Sequence, residues 1–288
     1  GIASVVDCND RWVYLDPERG SMSAVAEAAR NLSCVGAEPI AITNNLNFSS
    51  PEKPVGFWQL SMSCEGISNA CKVLNTPVTG GNVSLYNDTK RSNNKVIPIH
   101  PTPVIGMVGL IEDINKVCKK SWVKEGDQIW LLGLPLETNN NKDSRISLSA
   151  SSFLEYIHGL KTGRPPEIDL DLEKQVHFFI RNIIKKCMIN SAHDLGDGGL
   201  AVALAECCIS SGLGANIVIP SSKSRLDRLL FAEGGGRVLV SCSDDQSLEL
   251  KKYYKKISLE KSNSFSICNL GTVNHQNKLS IYQSNNLI

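Results

Sequence analysis

No run of the 288 residues approaches the ~18–20 apolar positions of a membrane span, and no signal-peptide pattern opens the chain. Neither sign of charge is in excess: 30 Lys and Arg stand against 29 Asp and Glu, a formal charge of +1. The basic face that a nucleic-acid binder needs is therefore missing. Ten cysteines are present, yet none has C-x-x-C spacing and no His/Cys cluster has zinc-ligand spacing. Cys64, Cys71, Cys207 and Cys208 fall in apolar helical patterns, as expected of buried thiols in a reduced, cytoplasmic protein. Walker-type G-x-x-x-x-G-K-[ST], G-x-S-x-G and G-x-G-x-x-G segments are all absent, and so is a short-period repeat.

What is there is ordinary globular composition, 42% hydrophobic and 20% charged, with 22 Gly and 12 Pro. At roughly 100–200 residues per domain, this length predicts two domains. The chain begins at Gly1 and enters a strand-like run at once, so we expect it to be part of something longer. Residues 5–6 and 12–15 read as strands around a polar turn. A helix capped by Ser21 or Ser23 begins after Gly20 and runs to about Val35, where Gly36 stops it. Residues 39–43 are the next strand. Phe57, Leu60, Cys64, Ile67, Cys71 and Leu74 recur at steps of three and four, a long amphipathic helix with Pro54 near its start. A polar insert over 87–95 leads to strands at 96–100 and 103–110.

A second unit begins near Lys119, with a turn at 124–127 and a buried strand at 128–132. The asparagine-rich stretch 137–145 reads as a mobile loop. Leu172, Val176, Phe179, Ile180 and Ile183 mark a long helix ending near Ile189, and 198–211 is an alanine-rich helix. Strands follow at 215–219, 237–242 and 265–273. Interleaved strands and helices of this kind give α/β layers, helices packed on sheets.

Three segments concentrate unusual residues. Thr79-Gly80-Gly81-Asn82-Val83-Ser84 is either a glycine turn between strands or a place where backbone meets an anion and an amide meets a metal. His193-Asp194-Leu195-Gly196-Asp197-Gly198-Gly199 has two carboxylates before a glycine-rich helix start. It suits Mg²⁺ and phosphate, or simply an N-cap. Phe231-Ala232-Glu233-Gly234-Gly235-Gly236-Arg237 enters a strand, as a flexible loop or bulge or as a third binding element.

Read in order, Asp7-Cys8-Asn9, Leu15-Asp16-Pro17, Gly36-Ala37-Glu38-Pro39, Leu46-Asn47-Phe48, Gly80-Gly81-Asn82-Val83-Ser84-Leu85-Tyr86-Asn87, Pro101-Thr102-Pro103-Val104-Ile105-Gly106 and His193-Asp194…Asp197-Gly198-Gly199 carry a resemblance. The chain resembles the C-terminal half of the large subunit of the phosphoribosylformylglycinamidine synthase family, from Val5 to about Val273. Aminoimidazole ribonucleotide synthetase, thiamine-phosphate kinase and selenophosphate synthetase are more distant relatives. The resemblance implies two homologous halves, each with an A domain of mixed sheet and helices and an α/β B domain. Residues 1–118 would be the second A domain and 119–288 the second B domain.

It also implies an activity: an ATP-dependent ligase that uses ammonia from glutamine to turn formylglycinamide ribonucleotide into formylglycinamidine ribonucleotide, ADP and phosphate. By residue match, Gly81 and Asn44 would contact ATP, Asn82 would ligate Mg²⁺ and Ser84 would contact the ribonucleotide. The family often carries aspartate where Asn44 stands, so the charge-dependent part of that role is lost. Asp194, Asp197 and Glu233 match an auxiliary nucleotide or metal site. There Gly196 replaces a common serine, Glu233-Gly234-Gly235 stands for Glu-Ser-Gln and Ser149-Ala150 for Gly-Gly, which argues against catalysis. The five histidines at 100, 158, 177, 193 and 275 match no catalytic segment, so this chain alone is expected to be inactive. Implied partners are the missing N-terminal half, a glutaminase subunit and a small bridging subunit, with no nucleic acid and no membrane. The isolated chain is expected to dimerise through its A domain. Two other readings stay open: a free-standing homodimeric kinase or synthetase of the same superfamily, and a non-catalytic nucleotide-binding assembly module.

Overall fold

Strand–helix alternation resolves into two mixed sheets with helices laid on them, α/β of the α+β type. The computed structural model describes residues 1–90, 96–136, 143–222, 224–260, 265–283 and 286–288. The first sheet is built from β1 (Ile2–Asp7), β2 (Glu38–Asn47), β3 (Val78–Ser84) and β6 (Thr102–Leu110), in the order β1-β6-β2-β3; β4 (Asp88–Lys90) and β5 (Val96–Pro98) form a separate ribbon. β6 runs antiparallel to both neighbours, whereas β2 and β3 are parallel. Between strands lie α1 (Asp10–Leu15), α2 (Pro17–Cys34) and α3 (Pro54–Leu74).

α2 and α3 cover one face of this sheet. Ala24, Ala28, Leu32, Ile67 and Ala70 pack on Ile42, Leu46, Ile105 and Met107 in a single apolar cluster. Burying each such large side chain contributes about 1.5–3 kcal/mol. The other face has no cover among the described residues. Ile2 lies opposite Leu110 on adjacent strands, and Ile2, Val6, Val108 and Leu110 are all exposed.

The second sheet orders its strands β13-β12-β9-β11-β7-β10-β8. These are β7 (Gln128–Gly133), β8 (Ser191–Asp194), β9 (Gly214–Ile219), β10 (Arg237–Cys242), β11 (Ser266–Asn274), β12 (Leu279–Gln283) and β13 (Asn286–Leu287). Its helices are α4 (Ser152–His158), α5 (Leu170–Lys185), α6 (Gly199–Ser211), α7 (Leu226–Phe231) and α8 (Asp244–Glu260). β7 is buried on both sides, as its unbroken apolar run requires. Trp130 and Leu132 join the α5 and α8 cluster, while Ile129 and Leu131 join the α6 and α7 cluster.

Several sequence expectations need correction. Residues 12–15 form α1 rather than a strand. The Asn9 side chain accepts from Trp12 N at 3.0 Å, and Asp16 N–H returns to the Trp12 carbonyl at 2.8 Å, so capping overrides the β-prone Trp-Val-Tyr run. α2 starts at Pro17, with Asp16 accepting from Arg19 N, which leaves Ser21 and Ser23 buried inside the helix. Of the strand expected over 96–100, only β5 forms, and it pairs with β4 outside the main sheet. Gly80 and Gly81 sit within β3, not in a turn. α5 stops at Lys185, short of Ile189. Of the polar stretches, 91–95 and 137–142 lie outside the described residues.

α1 docks on the second unit: the Trp12 indole N–H and the Arg11 Nε–H both donate to the Ala150 carbonyl, at 3.0 and 2.8 Å. Trp12→Phe keeps most of the apolar area and leaves Arg11 on that carbonyl. We expect a loss of about 1–2 kcal/mol in urea unfolding. An unchanged midpoint would mean that α1 does not help hold the two units together.

Candidate functional site

The Gly-Gly-Asn-x-Ser segment forms the edge strand of the first sheet, and parallel pairing with β2 sets its geometry. Asn44 lies beside Gly81, Asn45 beside Asn82 and Asn47 beside Ser84. A Cβ on Gly81 would stand 2.2 Å from Asn44 Oδ1, so only glycine lets the Asn44 amide lie across β3. Alternation along a strand then sends Asn82 and Ser84 to the opposite, uncovered face. There Asn82 Nδ2 donates to Asn45 Oδ1 at 3.3 Å, and Asn87 Nδ2 donates to Ser84 Oγ at 3.1 Å. Among the described residues the Asn82 carbonyl oxygen has no hydrogen-bond donor, which leaves it open as a hard oxygen ligand. The structure thus brings Asn44 and Gly81 together on one side of β3, and Asn82 and Ser84 together on the other.

Asp194, Asp197 and Glu233 gather elsewhere, at the junction of the two units. Asp194 ends β8 and Asp197 sits before α6. Glu233 Oε1 accepts backbone N–H groups from Ser152 and Gly198, at 2.7 and 2.8 Å, at the starts of α4 and α6. Arginines from the first unit meet this group. Arg11 reaches Asp197 and Glu155 at 3.1 and 3.0 Å, and Arg30 reaches Glu173 at 2.7 Å and Asp194 at 3.5 Å. The triple glycine is a packed element rather than a loose loop: a Cβ on Gly235 would stand 2.1 Å from Glu173 Oε1. His193 bonds Glu206 at 2.7 Å, the structural role of an ordinary partnered histidine.

Charge is unbalanced here. Burial, then the Asp194 charge, pushes Asp7 up from 3.8 to about 7, against Arg30 and the Asn31 amide. Burial and Asp7 likewise hold Glu27 well above the usual carboxylate range. Burial and Asp197 raise Glu233. Asp194 goes the other way, because His193 and Arg30 outweigh its burial. Glu173, Asp194 and Glu27 therefore act on one guanidinium, Arg30, with Asp7 beside them, while Asp197 is paired with Arg11. The enclosed space between Asn9, Glu27, Arg30, Asp197 and Glu233 is about 10 Å³, enough for one ion or water and not for a nucleotide. Among the described residues no three carboxylate, imidazole or thiol groups are arranged as a ready metal cage.

Sequence reasoning misses Asn45, Asn87, Asp7, Glu27, Arg11 and Arg30. The tandem Asn44-Asn45 before an apolar Leu46 is a signal for the first site. Nothing local marks the arginines, whose partners lie more than a hundred residues away.

Residues 1–111 match the AIR synthase related protein, N-terminal domain family, and residues 124–282 its C-terminal domain family. Over all 288 residues the chain is 82% identical to the phosphoribosylformylglycinamidine synthase subunit PurL of Prochlorococcus marinus strain NATL1A, and it spans 36% of that protein's length. In fold it is similar to Thermotoga maritima PurL complexed with FGAR, with a TM-score of 0.77 at 17% identity, covering 100% of this chain and 44% of that one. The same protein complexed with ATP gives 0.73 at 17% identity, covering 100% and 42%.

The acidic junction makes stability depend on pH. An Asp7 carboxyl that keeps its proton to about pH 7 when folded, but releases it near pH 4 when unfolded, costs stability as pH rises between those values. The cost is complete above pH 7 and absent below pH 4. Asp7→Asn removes it, so the variant should be more stable than wild type at pH 8 by on the order of 1–3 kcal/mol. Near pH 4 the two should melt together. Equal melting at both pH values would contradict this charge balance.

Proposed function

The chain belongs to the AIR synthase related proteins, and from that premise we propose that it is the C-terminal half of a phosphoribosylformylglycinamidine synthase large subunit. Residues 1–118 then form the second A domain and 119–288 the second B domain. The whole enzyme joins formylglycinamide ribonucleotide, ATP and glutamine-derived ammonia into formylglycinamidine ribonucleotide, ADP and phosphate, in the cytoplasm. In that reaction the amide oxygen takes the γ-phosphoryl group, ADP leaves, and ammonia adds to the activated carbon as phosphate departs. Catalysis is then positioning and charge neutralisation.

The observation that carries this reading is the uncovered face of the first sheet. Asn82 and Ser84 stand there beside exposed Ile2, Val6, Val108 and Leu110, a surface that calls for a second sheet. The N-terminal half fits as that cover, and would supply a general base. β3 is an edge strand, so a nucleotide lying along its free edge can meet Gly81 and Asn44 on one side and Asn82 on the other. The bare amide oxygen of Asn82 suits Mg²⁺, which usually takes few protein ligands beside substrate phosphates. When bound, the ion would neutralise the transferring phosphoryl group.

Asp194, Asp197 and Glu233 support an auxiliary, non-reacting role. An ion-sized space lined by Glu27, Asp197 and Glu233 suits a cation there, while Glu233 stays engaged by Arg11 and two helix starts. A glutaminase subunit and a small bridging subunit complete the ammonia supply. Without the other half, the exposed sheet should pair with itself as a homodimer; a clean monomer by light scattering at tens of micromolar, on the usual affinity scale, would contradict that.

Asn82 and Ser84 separate kinetically in the full-length subunit. Asn82→Leu should lower kcat about 10²–10³-fold and weaken the Mg²⁺ dependence. Ser84→Ala should mainly raise KM for the ribonucleotide. Wild-type kinetics in both folded variants would reduce the segment to an ordinary edge strand.

A further inference from the structure

Between α3, α5 and α8 lies a cavity of about 960 Å³, whose lining includes none of Asn44, Gly81, Asn82 and Ser84. Among the described residues its lining carries five cations, Lys72, Lys174, Arg181, Lys186 and Lys256, and one carboxylate, Glu38. The whole chain is only +1, so this concentration is local. Arg181 is half-buried, and burial lowers its pKa. Its hydrogen-bond partner is the Ser33 hydroxyl at 3.0 Å, and among the described residues it makes no close ion pair. Glu38 acts on this guanidinium only from a distance, short of a close ion pair, so a half-buried cation is left with room for an anionic partner.

Aromatic surface faces the same space. Phe178 is 53% exposed, Tyr253 lies under the Lys186 ammonium at 5.6 Å, and Phe265 closes the wall. Cations suit phosphate oxygens, and aromatic rings suit a flat base. The volume lies within the ~300–1,000 Å³ range of small-molecule pockets.

We propose that this cleft is a binding site for a mononucleotide-class ligand, its phosphate held by Arg181 and the lysines and its ring lying against Phe178. The site is independent of the ATP reading at β3, which needs Mg²⁺. AMP, adenosine and inorganic phosphate are the probes, titrated calorimetrically into the 288-residue chain in EDTA. AMP should bind without metal, with adenosine and phosphate each at least about tenfold weaker. Lys174→Glu and Lys72→Glu, on different helices, should each weaken AMP about tenfold, so that loss of one variant to misfolding leaves the other. Asn82→Leu should leave AMP affinity unchanged. Failure of AMP to bind in EDTA would overturn the proposal. So would affinity indifferent to both charge reversals, or phosphate or a polyglutamate chain binding as tightly as AMP. None of those results bears on Asn82 and Mg²⁺, and a kinetic failure at Asn82 leaves this cleft untouched.

Discussion

Arg30 leaves α2 and places its guanidinium between Glu173 of α5 and Asp194 of β8, in surroundings where all three side chains are almost fully buried. A charge so far from water is tolerable only with its partners in place, since an unpaired buried ion costs several kcal/mol. The geometry that pairs Arg30 with Glu173 and Asp194 therefore ties the two units together. Glu173 is held in turn by His177 at 2.9 Å, and Arg30 and His177 together outweigh its burial to keep it ionised. Arg11, on the neighbouring helix, repeats the arrangement with Asp197, Glu155 and Glu233.

Because the arginines commit one side of the first unit to the second, and α2 and α3 cover another, a single face of the first sheet stays open. That face bears Asn82 and Ser84, with an apolar surround. The division is physical: Arg11, Arg30, Glu173 and Asp194 are charged, buried and paired across the two units, whereas Asn82 and Ser84 are polar, less buried and bonded only to nearby amides. Loose pairing suits groups that must exchange a neighbour for a ligand. The auxiliary carboxylates stand between the two classes, built into the junction yet short of positive charge.

Elements with strong apolar periodicity and end signals were legible in the sequence: α3 from Pro54 and its Phe57–Leu74 spacing, α5 from its Leu172–Ile183 spacing, and β7 from its unbroken apolar run. α1 was not, because Trp12-Val13-Tyr14-Leu15 favours a strand and one Asn9 cap decides otherwise. α8 has a Lys-rich, weakly apolar sequence and forms against Tyr253, Tyr254 and Leu250 packed on the core, a tertiary cause no local window contains. The candidate residues at β3 stood out as a motif, but their division between two faces needed the register with β2. Arg30 and Glu173 are 143 positions apart, so their pairing could only come from the fold.

The central claim is that this chain carries half of an active site. Its most direct test mixes the purified chain with the separately expressed N-terminal portion of a PurL relative and follows ammonia-dependent conversion of formylglycinamide ribonucleotide with ATP and Mg²⁺. Neither piece alone should give amidine product, and the mixture should give measurable product that is lost again when Asn82→Leu replaces wild type. Robust turnover by this chain alone would contradict it.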